Sequence, residues 1–350
     1  MSIIQRHIFK TLFVAILVTL VAVGIIDFSL AVLSELTYEV GNNYSESLAI
    51  QYVLLNTPTR IYLYSPYIIL IGVLFACGQM ATHLEFVILE NAGFSKTKLI
   101  RHIIVAPILW LCLFFIFGET IAPSYELKAK ELKDLSVSAD SNEYGVWHKE
   151  NDTYYFFSAI DQSGVIQQGF YLQTLGDLSD VARKDFKKIT PTAPGTWTIE
   201  LSSGNGETGS NPQTAETLTW HTHLTAELLL MKNNENLNLS IQKLKQYQRY
   251  LASQGLASKN YALKLWQKYL QPLLAITLVW LGITFIFGPL RSSSMSARIF
   301  MGILVALIFN IGQQIISQLA LSSDLAAWQV AMVPILLAAT LATVLQMRST

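Results

Sequence analysis

Tyr269-Leu270-Gln271-Pro272-Leu273-Leu274-Ala275-Ile276-Thr277-Leu278-Val279-Trp280-Leu281-Gly282-Ile283-Thr284-Phe285-Ile286-Phe287 carries no charge and is long enough to cross a bilayer as a helix. A crossing of the hydrocarbon core takes roughly 20 mostly apolar residues, and a run of this length with no ionised side chain is hard to place in a soluble core. Comparable runs occur at Ile8 to Leu33, Ile61 to Ala81, Leu99 to Ala122, Ile299 to Leu321 and Ala326 to Met347. Between Pro123 and Lys268 no such run exists and the composition turns polar. The chain therefore reads as a polytopic α-helical membrane protein of six transmembrane helices, with an all-β domain inserted between the third and the fourth. Residues 1–123 hold the first three spans, residues 124–265 the insert, and residues 266–350 the last three.

Composition agrees with that class. Hydrophobic residues make up 52% and charged ones 14% of 350 residues, below the roughly one quarter charged that is usual for a soluble domain. Lys+Arg and Asp+Glu both number 24, so the charge balance points to no nucleic-acid partner. Cys77 and Cys112 lie in apolar stretches and read as small core hydrophobes rather than a disulfide or metal pair. The first span has features of a signal peptide, with Arg6 and Lys10 ahead of it and Ser29-Leu30-Ala31 as a small-x-small site. Its apolar run exceeds the roughly 7–15 residues of a signal core, which favours an uncleaved helix.

Orientation follows from basic residues in short loops. Arg6, Lys10, Lys96, Lys98, Arg101, Arg291, Arg298 and Arg348 all fall on one side if both termini are cytoplasmic. The opposite loops hold Glu35, Glu39, Glu46 and Asp324 against Arg60. The insert is then extracytoplasmic, which in a Gram-negative cell is periplasmic.

Within the insert, Lys128 to Leu135 continues as a polar helical stalk. Short alternating runs follow: Tyr154 to Phe157 after Asn151-Asp152, Gly169 to Leu172 before Gly176-Asp177, Trp197 to Leu201 before Gly204-Asn205-Gly206, and Thr217 to Trp220. Short alternating strands between Gly and Asn turns suggest a sandwich or jelly roll. From about Ser240 to Lys268 the period becomes helical, with Ile241, Leu244, Tyr247, Tyr250 and Leu251 on one face, predicting an amphipathic helix at the membrane surface.

Few motifs carry chemistry. No G-x-x-x-x-G-K-[ST] occurs, so the chain has no phosphate-cradling loop of its own and no cofactor is expected on it. His221-Thr222-His223 with Glu227 has the spacing of half a cupin metal site, but no second half follows, and the reading is an ordinary surface strand with no metal. Asp27 lies inside the first span, where an ionisable residue is either functional or hydrated near the interface. The loop at about 82–95, read as a helix, gathers Leu84, Val87, Ile88 and Asn91 on one face and stops at Gly93. It suits docking to a partner protein, or contact with lipid headgroups alone.

That loop resembles the coupling helix of the lipopolysaccharide export permeases, the LptF/LptG family, through Glu85 and Ala92-Gly93-Phe94-Ser95. His83-Leu84-Glu85 stands where Ser-Glu-Leu is commoner. Further matches are Gly118-Glu119 with Ala122-Pro123, Gly145-Val146-Trp147, and Trp266-Gln267-Lys268 through Gln271-Pro272 to Phe285-Ile286-Phe287-Gly288-Pro289-Leu290-Arg291-Ser292. The last segment is similar to LptG-type subunits more than to LptF-type ones. The resemblance spans nearly the whole chain in order and spacing.

The resemblance implies an LptF-like permease partner, an LptB-like cytoplasmic ATPase dimer that binds the ATP, and an LptC-like periplasmic protein. It implies that lipopolysaccharide enters a cavity from the outer leaflet of the inner membrane and is pushed to periplasmic jelly rolls. Leu84, Glu85, Ile88 and Gly93 are then the ATPase-coupling residues. Asp27, Phe28 and Leu33 on span one, with Phe309, Ile316 and Leu319 on span five, are expected at the cavity and its lateral gate. The family also implies basic residues just outside span one that meet the lipid phosphates. Here Leu33-Ser34-Glu35-Leu36-Thr37-Tyr38-Glu39 is acidic instead. Headgroup contact is therefore expected from Arg60 and Lys268, long basic side chains able to snorkel, or from the partner subunit. Two other classes fit the bare pattern: a different ABC permease of lipoprotein-release or efflux type, and a non-transport envelope scaffold or sensor.

Overall fold

A computed structural model describes residues 3–38, 44–137, 146–150, 153–160, 165–174, 181–193, 196–201, 217–222, 238–253, 259–287, 294–322 and 325–349. The chain divides into two units, one of Met1–Lys133 with Asn238–Thr350 and one of Asp134–Leu237.

The first unit is helical. Six of its helices are long and apolar enough to cross a membrane. They are α1 (Ile3–Tyr38), α2 (Glu46–Thr82), α4 (Lys96–Thr120), α7 (Lys259–Phe287), α8 (Met295–Ser322) and α9 (Ala327–Ser349). Four of them contain the whole of a run read from sequence, whereas α4 stops at Thr120, short of the expected Ala122, and α9 starts at Ala327, one residue after the expected Ala326. Three shorter helices accompany them: α3 (Glu85–Asn91), α5 (Ala122–Val137) and α6 (Ile241–Ser253). Their apolar faces meet in one core containing Leu12, Ile16, Leu70, Leu74, Leu99, Ile103, Leu278 and Leu281.

α2 is the central helix, packed by α1, α4, α7 and α8. It starts at Glu46, well before the expected Ile61, because it carries on as a helix through Pro58. Pro66 removes the N–H that would reach the Tyr62 carbonyl. That carbonyl instead accepts from the Ser65 hydroxyl at 2.7 Å and from Gln271 Nε2 of α7 at 2.9 Å. Inside a bilayer no water can serve it, so the side chains that replace the lost bond also fix α7 against α2. At Gly72 a Cβ would lie 2.7 Å from the Ile16 backbone, so the absence of a side chain lets α1 approach this closely.

The expected amphipathic helix from Ser240 to Lys268 is two helices. α6 ends at Ser253, residues 254–258 lie outside the description, and α7 already runs from Lys259. α6 buries Leu244, Tyr247, Tyr250 and Leu251 and packs on α7.

The second unit is a β-sheet with strands β1 (Val146–Glu150), β2 (Thr153–Ile160), β3 (Ile166–Thr174), β4 (Val181–Ala193), β5 (Thr196–Leu201) and β6 (Thr217–His221). All pairings are antiparallel and the order is β1-β2-β3-β4-β5-β6, a meander. Among the described residues this is one sheet, and the crossover of a jelly roll is not among them. One face is an aromatic layer of Tyr155, Phe157, Tyr171, Phe186, Trp197 and Trp220, with His148 also buried. The alternation read in Tyr154 to Phe157 and Trp197 to Leu201 is what builds it.

The turn residues Asn151-Asp152, Gly176-Asp177 and Gly204 to Gly206, the side chain of His221, and His223, Glu227, Glu39, Asp324 and Gly288 to Ser292 lie outside the description. Among the described residues no His, Cys, Asp and Glu group could hold a metal ion.

Candidate functional site

The charged side chains of the helical unit gather near two ends of the bundle. At one end α2 passes into α3. Leu84 is not part of that helix: it is the residue before it, in the left-handed region at φ 57. The helix is seven residues long, shorter than the span read at about 82–95. A left-handed residue cannot continue an α-helix, so the chain breaks at Leu84 and restarts at Glu85. Gly93 ends the turn at φ 88, with Gly93 N–H donating to the Glu90 carbonyl and Phe94 N–H to Leu89, both at 3.0 Å. This is a Schellman cap, and it explains the glycine at that position. Phe86 is buried, whereas Leu84, Val87 and Ile88 are exposed, giving α3 an outward apolar face. Glu85 Oε2 lies 3.0 Å from His7 Nε2 of α1. Nearby, Arg298 is buried and donates to the Gly78 carbonyl at 2.7 Å and to Thr82 Oγ1 at 3.3 Å. It thereby ties the start of α8 to the last turn of α2.

Among the described residues, the other end holds three ion pairs. Arg60 donates through Nε and Nη2 to both oxygens of Asp27 at 2.7 Å each, a bidentate pair between α2 and α1. Lys133 of α5 donates to Glu35 Oε1 of α1 at 2.7 Å, and the Tyr44 hydroxyl reaches the same oxygen at 3.0 Å. The Lys133 ammonium also lies over the Tyr52 ring at 5.0 Å. Lys268 of α7 donates to Glu119 Oε1 at 2.7 Å, and its ammonium faces the Tyr62 ring at 5.3 Å.

Glu119 and a further carboxylate, Glu126, hold the chain returning from the insert. Glu119 Oε2 accepts the Ile241 N–H at the start of α6 at 2.8 Å, and Glu126 Oε1 accepts the Asn238 N–H at 3.2 Å. The Thr59 hydroxyl donates to Glu126 Oε2 at 3.0 Å. Burial pushes the Glu126 carboxyl above the usual range, opposed by the Asn238 and Thr59 hydrogen bonds and by nearby Lys268.

These placements revise several expectations. Asp27 is neither isolated nor simply hydrated, since Arg60 clasps it. Lys268, expected to snorkel outward, is buried on Glu119 because α4 supplies a partner within reach. Arg60 remains about one third exposed. Of the residues expected at the gate, Phe28 is half-buried, and Leu33 and Leu319 are exposed. Phe309 packs partly on the main core, and Ile316 on Leu263, Val330 and Ala331. α1 and α8 are the least enclosed spans, with 17% and 22% of their apolar segments buried against 72% for α2. Sequence reading missed Lys133, Glu126 and His7 as site residues. Each needs a partner far away in sequence before its role is visible.

The profile of the family described as "Lipopolysaccharide export system permease LptF/LptG" matches residues 6–348. The chain belongs to this family. It is 26% identical to lipopolysaccharide export system permease protein LptG of Escherichia coli (strain K12) over 332 residues, 91% of each chain. It is 25% identical to the protein of that name from Haemophilus influenzae over 341 residues, 95% of each. As a member of the LptF/LptG family the chain is a multi-pass inner-membrane subunit of a transporter and not an enzyme.

Proposed function

We propose that this chain is the LptG-type permease subunit of a lipopolysaccharide exporter. It pairs with an LptF-like subunit, draws lipopolysaccharide from the outer leaflet into a shared cavity, and passes it to the periplasm. ATP is bound and hydrolysed by an LptB-like ATPase dimer, seated on the outward apolar face of α3 with Glu85 at its start. Both termini are cytoplasmic and the β domain is periplasmic, completed there as a jelly roll that meets an LptC-like protein. The observation that carries this reading is the family match over residues 6–348.

The helical unit supports it. α1 and α8 leave apolar flanks uncovered, including Leu33 and Leu319, as walls open to lipid tails require. Arg60, about one third exposed, is the cation we assign to an anionic headgroup, and Lys268 acts inside the bundle. Affinity purification from the native membrane, with partners identified by mass spectrometry, tests the assignment. Recovery of an LptF-like subunit and an LptB-like ATPase supports it. Recovery of an ATPase from another transporter class, or of none, refutes it.

A further inference from the structure

The two halves of α1 are held by different forces. In the half next to α3, Ile8, Leu12, Ala15, Ile16 and Thr19 are buried against the bundle. From Leu20 to Thr37 no residue is buried. Leu20 and Val23 still pack on the main core, and beyond Gly24 only a half-buried stripe, Asp27 and Phe28, Ala31 and Val32, Glu35 and Leu36, faces the rest of the unit. Its neighbours Ile25, Ile26, Leu30 and Leu33 are all more than 60% exposed. An apolar flank in a bilayer gains little by leaving lipid tails for protein, because both are equally dry. Directed attraction must then fix this half. The stripe contains two carboxylates, and each holds a cation from another helix: Asp27 with Arg60 of α2, and Glu35 with Lys133 of α5. Where the two halves join, Gly24 has nothing within 4 Å of the place a Cβ would take, so the helix is not wedged there.

We propose that residues 25–38 of α1 form an arm latched by these two ion pairs, and that a phosphate-bearing lipid unlatches it. Its phosphates displace the two carboxylates from Arg60 and Lys133. The inference rests on the lipopolysaccharide-export reading and adds a regulation to it. The acidic exit of span one, which would repel a phosphate if its carboxylates stood alone, is neutralised at Asp27 and Glu35 by the cations that a phosphate seeks. A phosphate matches the guanidinium fork as well as a carboxylate does, and it carries more charge. The exchange leaves neither cation unpaired in a medium of low dielectric constant, where an uncompensated charge is most costly. The released carboxylates leave with the arm, which can turn them to water. Occupancy by the lipid and release of the gate helix thus become one event.

The test is a spin-label distance between Leu30→Cys on the arm and Leu54→Cys on α2. It is measured in the purified complex in nanodiscs, with Cys77→Ala and Cys112→Ser. Bisphosphorylated lipid A should lengthen the distance, and its dephosphorylated form should not. Asp27→Asn with Glu35→Gln should give the long distance without lipid, and Arg60→Gln with Lys133→Gln should reproduce it through the other partners. A short distance in both double variants overturns the latch. Equal lengthening by phosphorylated and dephosphorylated lipid overturns the phosphate trigger. Lengthening by inorganic phosphate alone contradicts a lipid as the source of the anion. If labelled lipid A fails to bind the wild-type complex at all, the export reading fails, and the double variants still decide the latch.

Discussion

Lys268 of α7 and Glu119 of α4 meet at 2.7 Å with little exposure to solvent, and the other oxygen of Glu119 caps the start of α6. One carboxylate thereby ties together the last span before the insert, the first span after it and the segment that leads back from it.

Removing one partner leaves the other charge buried and alone, which typically costs about 3–5 kcal/mol. Lys268→Met should therefore lower the thermal midpoint of the detergent-solubilised protein strongly. Lys268→Met combined with Glu119→Gln should recover much of the loss, since the glutamine carbonyl can still accept the Ile241 N–H. A double variant as unstable as the sum of the two single ones would show that the pair does not act as a unit.

Glu126 gives the stability a pH dependence of known sign. Its folded pKa is raised above the ordinary 4.5 by burial. Below the ordinary value both folded and unfolded states hold the proton, and the contribution is fully present. As pH rises towards the folded value the unfolded state loses its proton first, so stability falls. Glu126→Gln cannot ionise but keeps an acceptor for the Asn238 N–H. Melting curves from pH 4 to neutrality should show the variant gaining on the wild type as pH rises. A constant difference across that range would contradict the burial cost.

At the α3 end, Glu85→Ala should reduce recovery of the ATPase or uncouple hydrolysis from transport, with membrane insertion unchanged. A charge-assisted contact of this kind is worth about 1.5–3 kcal/mol. Co-purification yields and ATPase assays check this, and unaltered recovery together with unaltered transport counts against docking through Glu85.

Membrane orientation has its own measurement. Single cysteines at Asn91 and Gly204, in a background lacking Cys77 and Cys112, should differ in spheroplasts. Gly204 is expected to react with an impermeant maleimide and Asn91 is not. Labelling at Asn91 reverses the assignment.

The spans were legible because length and apolarity are properties of a single stretch of chain, and each of the six runs falls on one apolar helix to within two residues at its ends. Helix ends were less so: α2 begins among polar residues that apolarity cannot mark. In the sheet, β2, β3, β5 and β6 announced themselves by alternation. β4 was hidden, because Lys184, Asp185, Lys187 and Lys188 mask its period and a register shift between Phe186 and Lys188 breaks it. The ion pairs were not legible at all. Asp27 and Arg60 are 33 positions apart and Glu119 and Lys268 are 149 apart. Which faces of which helices meet is decided by packing, so Lys268 read as an outward anchor when Glu119 in fact holds it inside.

Transport by the reconstituted complex shows whether this chain moves lipopolysaccharide. The chain is purified with its LptF-like and ATPase partners in proteoliposomes containing lipopolysaccharide, with an acceptor domain outside carrying a photocrosslinker. ATP should drive crosslinking of lipopolysaccharide to the acceptor, and omission of this chain or of ATP should abolish it. Equal crosslinking with and without this chain, or ATP hydrolysis by the complete complex with no lipid delivered, would contradict the account.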